Sequence, residues 1–188
     1  PAIPGVDVRI AKDDEIIVRG PNVFLGYYKE PAATAECLVD GWLHSGDLGV
    51  FDDEGFLAIT GRKKDIIITA GGKNVTPKNI EHAIKQLSLI GEAVVIGDRR
   101  KYLTALITLD PEATAKFCQE RSLEVTKAHA LPEVRAEIQK QIDRANTELV
   151  RVEQVKKFTV LDNVFSIDTG ELTPTLKLKR NVVQKKFA

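Results

Sequence analysis

Gly61-Arg62-Lys63-Lys64-Asp65-Ile66-Ile67-Ile68-Thr69-Ala70-Gly71-Gly72-Lys73-Asn74-Val75-Thr76-Pro77 combines a charged elbow, an apolar run that stops at two glycines, and a helix start. Residues 65–69 are short, rich in isoleucine and closed by Gly71-Gly72, which predicts a buried strand and a tight turn. Thr76 is a favourable N-cap and Pro77 a favourable first helical residue. The helix is expected to reach about residue 87, with Ile80, Ala83, Ile84 and Leu87 on one face.

Downstream, residues 92–97 and 103–109 read as strands joined by Asp98-Arg99-Arg100-Lys101. Pro111 opens a helix to about Arg121. Pro132 opens a longer one, with Val134, Ile138, Ile142, Ala145 and Leu149 at helical spacing. Residues 157–161 are a further strand, and 178–187 a last helix with Leu178, Val182 and Val183 inward. Upstream, 6–10 and 15–19 are strands, and 31–38 a helix with proline in its first turn. Asp52-Asp53-Glu54-Gly55 separates 48–51 from 56–59 as a hairpin turn. Residues 1–61 are therefore β-rich. Residues 62–188 are α+β, a small sheet with helices packed on it.

Composition narrows the function classes. Lys plus Arg equals Asp plus Glu at 27 each, so no net charge draws the chain to nucleic acid. The charge is uneven, since residues 177–186 hold five basic side chains and no acidic one. Cys37 and Cys118 lack metal-ligand or disulfide spacing, and Cys118 reads as a buried helical thiol in a reducing, cytoplasmic setting. His44, His82 and His129 are scattered, so no metal site is expected. No apolar run is long enough to span a bilayer as a helix.

Five positions carry chemistry. Asp47 follows Ser45-Gly46 in an expected turn; a carboxylate can accept from two vicinal hydroxyls at once. Its plain alternative is a turn cap. Arg62 offers a planar fork to hydroxyls or a phosphate, or is simply a solvated edge arginine. Gly71 and Gly72 make a tight turn whose backbone, lacking Cβ, can approach a ligand closely. Lys177 is a cation in Pro174-Thr175-Leu176-Lys177-Leu178-Lys179-Arg180, either a catalytic charge or part of a solvated basic tail with Lys185 and Lys186.

Trp42-Leu43-His44-Ser45-Gly46-Asp47, the elbow-and-glycine stretch, and the Lys177 segment, in that order, resemble the C-terminal part of the adenylate-forming (AMP-forming) acyl-CoA synthetases. The long-chain fatty-acid–CoA ligases are the most similar type, and the resemblance covers nearly the whole chain. Ser45 stands where threonine is common. Leu176 departs from the glycine form of the lysine motif but fits its long-chain form. The resemblance implies the acetyl-CoA synthetase-like fold: residues 1–61 end the large AMP-binding domain, and 62–188 form the mobile C-terminal domain. It implies nucleotide binding by Asp47, Arg62 and Ile59, a hinge at Lys64, a pantetheine tunnel for CoA at Gly71 and Gly72 with Lys73 beside them, and catalysis of adenylate formation by Lys177.

The implied partners are a fatty acid, ATP, CoA and a missing N-terminal domain, with magnesium arriving on ATP and no metal held by these residues. The phosphate loop and acyl pocket would lie upstream, so the fragment alone is expected to be inactive. A cytoplasmic location is expected. Two alternatives stay open: another adenylate-forming enzyme, such as an aryl-acid–CoA ligase or a peptide-synthetase adenylation domain, and a non-catalytic module whose basic tail contacts membrane lipid peripherally.

Overall fold

Asp7-Val8-Arg9-Ile10 alternates polar and apolar residues, and in the computed structural model of the chain, which describes residues 2–187, it is strand β1 (Asp7–Ile10). It pairs antiparallel with β2 (Glu15–Arg19), and β2 pairs with the long β4 (Trp42–Phe51). α1 (Pro31–Cys37) begins on its proline and leads into β3 (Leu38–Val39). β3 and β5 (Leu57–Arg62) both pair with β4, completing a five-stranded sheet. The β4–β5 turn is closed by Asp52, whose Oδ1 accepts the N–H groups of Glu54 and Phe56 at 3.0 and 2.7 Å. The predicted hairpin is present, but its first strand reaches back to Trp42.

The chain divides into two compact units, Pro1–Ile66 and Ile67–Ala188. Residues 65–69 are not the single strand expected. Lys63–Asp65 form one 3₁₀ turn, and only β6 (Ile67–Ile68) is a strand, paired with β7 (Asn74–Val75). The charged elbow consumes the first residues in a turn, and the glycine turn ends the ladder two residues later. α2 (Pro77–Ile84) starts at Thr76 and Pro77 as expected but stops before residue 87. The reason is the next strand: β8 (Ile90–Ile96) begins six residues on, and the Ile90 N–H bonds to the Leu87 carbonyl in the connecting turn. Leu87 still packs on the core.

β8 runs antiparallel to β9 (Leu103–Leu109), and β10 (Val155–Val160) runs parallel to β9, giving the order β10-β9-β8. Both faces of this sheet are covered, so its strands are nearly continuous apolar runs. Ala93, Val95, Ala105 and Ile107 face one cluster with α2, α3 (Pro111–Glu120) and α4 (Pro132–Thr147). Val134, Ile138, Ile142 and Ala145 of α4 and Cys118 of α3 are buried there. Val94, Ile96 and Leu106 face a smaller cluster with Phe165 and Val183. Val183 belongs to α5 (Arg180–Phe187), which starts two residues later than expected because Leu178 is still paired with Leu172.

Candidate active site

Asp47 lies in a bulged strand and not in the turn expected. Glu15 pairs with Leu48 and Ile17 with His44, so Ser45, Gly46 and Asp47 crowd opposite Ile16 alone. Gly46 absorbs the extra length at φ 73°, a conformation that costs a side-chain-bearing residue. Ser45 fastens the bulge: its Oγ donates to the Ile16 carbonyl at 2.7 Å and accepts the Asp47 N–H at 3.1 Å. Asp47 faces Arg62 across β4 and β5, and the Arg62 Nε–H donates to Asp47 Oδ1 at 2.8 Å. That carboxylate raises the guanidinium pKa. Ile59 sits nearby on β5 opposite Gly49 and is 58% exposed.

Beneath the bulge is a residue that sequence reasoning missed. Glu15 is 3% exposed. Its Oε2 meets His44 Nδ1 and Lys63 Nζ, each at 2.9 Å, and its Oε1 accepts the Gly46 N–H at 2.9 Å. Burial pushes the carboxyl up, but these donors outweigh it and hold its pKa below the ordinary value. Lys63 also reaches Asp13 at 2.7 Å. In sequence, Asp13-Asp14-Glu15 looks like a solvated acidic run, and nothing marks its last member as buried. Lys64 follows Lys63 within the 3₁₀ turn, exposed and two residues before the boundary between the units.

In the second unit, Gly71 and Gly72 are exposed at the tip of the β6–β7 hairpin. The Gly72 N–H bonds to the Thr69 carbonyl at 2.8 Å, and Gly72 takes φ 72°. Lys73 is pinned through its backbone, its carbonyl accepting the Thr69 N–H and its N–H donating to Thr69 Oγ1. The β8–β9 turn braces this hairpin: the Ala70 N–H donates to the Arg100 carbonyl at 3.0 Å and the Arg99 N–H to that of Ile68 at 2.8 Å.

Lys177 is exposed on a second small hairpin. Leu172 pairs with Leu178, the Thr173 N–H donates to the Lys177 carbonyl at 2.8 Å, and the Lys177 N–H to Thr173 Oγ1 at 3.0 Å. Leu176, immediately before the lysine, holds φ 58° and is 69% exposed. At the base of the hairpin, Glu171 accepts from Thr169 and from Lys186. Those two bonds hold its pKa far down, at about 2. Lys186 is therefore no loose member of a solvated basic tail, as the sequence reading had it.

Asp47 and Arg62 are thus in contact, while Gly71, Gly72 and Lys177 stand on two hairpins of one unit. Among the described residues no three His, Cys, Asp or Glu side chains gather as a metal site. Among the described residues no helix is long and apolar enough to cross a membrane.

The family model described as the AMP-binding enzyme C-terminal domain matches residues 64–188. The long-chain-fatty-acid–CoA ligase FadD15 of Mycobacterium tuberculosis is 47% identical over 190 residues, covering 99% of this chain and 32% of that protein. The human long-chain-fatty-acid–CoA ligase ACSBG1 is 39% identical, covering 98% and 29%. The chain thus spans about a third of the length of the curated relatives it matches. Among solved structures, the o-succinylbenzoate CoA synthetase MenE of Bacillus subtilis, in complex with its acyl-adenylate intermediate, superposes with a TM-score of 0.71 at 27% identity, covering 99% of this chain and 34% of that one. The adenylation domain of a Mycobacterium chelonae carboxylate reductase shares the fold, with a TM-score of 0.77 at 22% identity over 100% of this chain and 30% of that one.

Proposed function

Because the chain belongs to the family of AMP-binding enzyme C-terminal domains, we propose that it is the C-terminal part of an ATP-dependent long-chain fatty-acid–CoA ligase. The observation that carries this reading is the Asp47–Arg62 pair on a glycine bulge, in a chain 47% identical to a long-chain ligase. Among the described residues Arg62 engages only Oδ1 of that carboxylate. The other oxygen and the remaining guanidinium N–H groups are left to accept from, and donate to, a ribose diol and a phosphate.

In the first half-reaction a fatty carboxylate oxygen attacks the α-phosphorus of ATP, the bond to the β-phosphate breaks, and pyrophosphate leaves. Carboxylate and phosphates bring negative charge together, and the exposed Lys177 ammonium would stabilise it, a contribution of about 10²–10³-fold for a well-placed donor. In the second, the CoA thiol attacks the acyl carbonyl and AMP leaves. The Gly71-Gly72 hairpin, with no Cβ at its tip and Lys73 beside it, would line the pantetheine path. Asp47, Arg62 and Ile59 would keep the nucleotide throughout, and Lys64 would be the pivot between the two steps. Residues 1–61 would complete the large domain, with 62–188 as the mobile one.

The test is pyrophosphate release by the full-length protein that contains this chain. Release that depends on a long-chain fatty acid and is followed by acyl-CoA formation supports the reading. Release with aryl acids alone moves the protein to another adenylate-forming class. Turnover by the isolated 188-residue chain contradicts its assignment as a part.

A further inference from the structure

Lys177 rides at the exposed tip of a hairpin whose paired leucines, Leu172 and Leu178, pack on the smaller core cluster. Pro174, Thr175, Leu176 and Lys177 are all exposed, and the helix that follows buries only Val183. A lysine is a compact charge on a flexible stem, so the backbone beneath it must supply the placement. At the outgoing end of the hairpin stands Arg180. Its Nη2 donates to Glu81 Oε1 and Oε2, each at 2.7 Å, and its Nη1 to the Val95 carbonyl at 3.1 Å. Glu81 Oε1 also accepts the Val95 N–H at 2.7 Å. The two side chains are 14% and 12% exposed. One guanidinium thus joins α5, α2 and β8.

We propose that Arg180 is the positioning residue of Lys177: its fork on Glu81 and Val95 sets where the hairpin leaves the sheet and so where the ammonium is presented. This rests on the reading of Lys177 as the cation of adenylate formation. A lysine at 180 could not reproduce the three planar contacts. Misplacement of a catalytic group by about 1 Å can cost about 10²-fold. α2, by contrast, has its own footing in Ile80 and Ile84, so the Gly71-Gly72 turn that precedes it does not depend on the arginine.

The experiment uses the full-length enzyme with Arg180→Lys, and with Arg180→Met combined with Glu81→Gln. The double variant leaves no unpaired buried charge and keeps an amide oxygen for the Val95 N–H, so its melting temperature is expected to stay close to that of the parent. Adenylate formation should fall about 10–100-fold in kcat in both variants. KM for ATP, and thioester formation from supplied acyl-adenylate, should stay within about threefold. Adenylate formation near the parent rate in the folded double variant overturns the proposal, as does parallel loss of both half-reactions. A parent enzyme that forms no acyl-adenylate at all overturns the functional reading, and the proposal with it.

Discussion

Arg62 donates its Nε–H to the Asp47 carboxylate at 2.8 Å, directly across β4 and β5, on side chains that are 66% and 30% exposed. A pair this open to water contributes about 0–1 kcal/mol to folding. Its value must lie elsewhere if the proposed function holds. Asp47→Asn in the full-length enzyme is expected to raise KM for ATP about 10–100-fold, the loss of one or two charged hydrogen bonds. The melting temperature should move by no more than about 2 °C. Steady-state kinetics and a thermal scan check both parts; an unchanged KM contradicts the nucleotide assignment.

Glu15 should behave oppositely. It is buried, and it holds His44, Gly46 and Lys63 together under the bulge. Glu15→Ala leaves those donors without their acceptor and is expected to cost about 2–4 kcal/mol, read from the urea midpoint of the chain. A loss below about 0.5 kcal/mol would mean that the network does not support the bulge.

Leu176 holds φ 58°, in the left-handed region. The left-handed region costs a side-chain-bearing residue about 1–2 kcal/mol, and glycine loses about 0.5–1 kcal/mol more chain entropy on folding. Leu176→Gly is therefore expected to leave stability unchanged or raise it by up to about 1 kcal/mol. Leu176→Ile, branched at Cβ, should lower it by about 1 kcal/mol. Denaturant unfolding of both variants decides; a clear loss with glycine would show that the leucine side chain itself supports the hairpin.

What was legible in advance follows from what leaves a periodic trace. Val134, Ile138, Ile142 and Ala145 announce α4 because one face of a helix must be apolar. Val94 and Val95 enter different clusters, so β8 shows as an unbroken apolar run, readable as a strand but silent about its two faces. Leu176 was marked by its departure from glycine, although its left-handed backbone was not. The bulge at Gly46, the burial of Glu15 and the pairing of Lys186 left no such trace. Each depends on which distant residues meet, and a charged side chain has the same letter whether solvated or paired.

Glu171 supplies the pH dependence. Its pKa falls from 4.5 to about 2 in the folded chain, first through the Lys186 bond and then through Thr169. A lowered carboxylate stabilises the fold above its unfolded pKa and loses that contribution as protons bind. Stability should therefore drop between about pH 4.5 and pH 2, by about 1–2 kcal/mol for this group once solvent screening at the half-exposed Lys186 is allowed for. Glu171→Gln should flatten that part of the curve. Urea midpoints at pH 5 and pH 3 for both forms test it, and equal slopes would refute it.

The measurement that bears most directly on the account is Lys177→Ala in the full-length enzyme, with the two half-reactions assayed separately. Pyrophosphate release on adenylate formation is expected to fall about 10²–10³-fold. Acyl-CoA formation from supplied acyl-adenylate should proceed at the parent rate. If both half-reactions fall together, or neither does, the exposed ammonium of Lys177 is not the cation of the first step and the division of labour between the two hairpins is wrong.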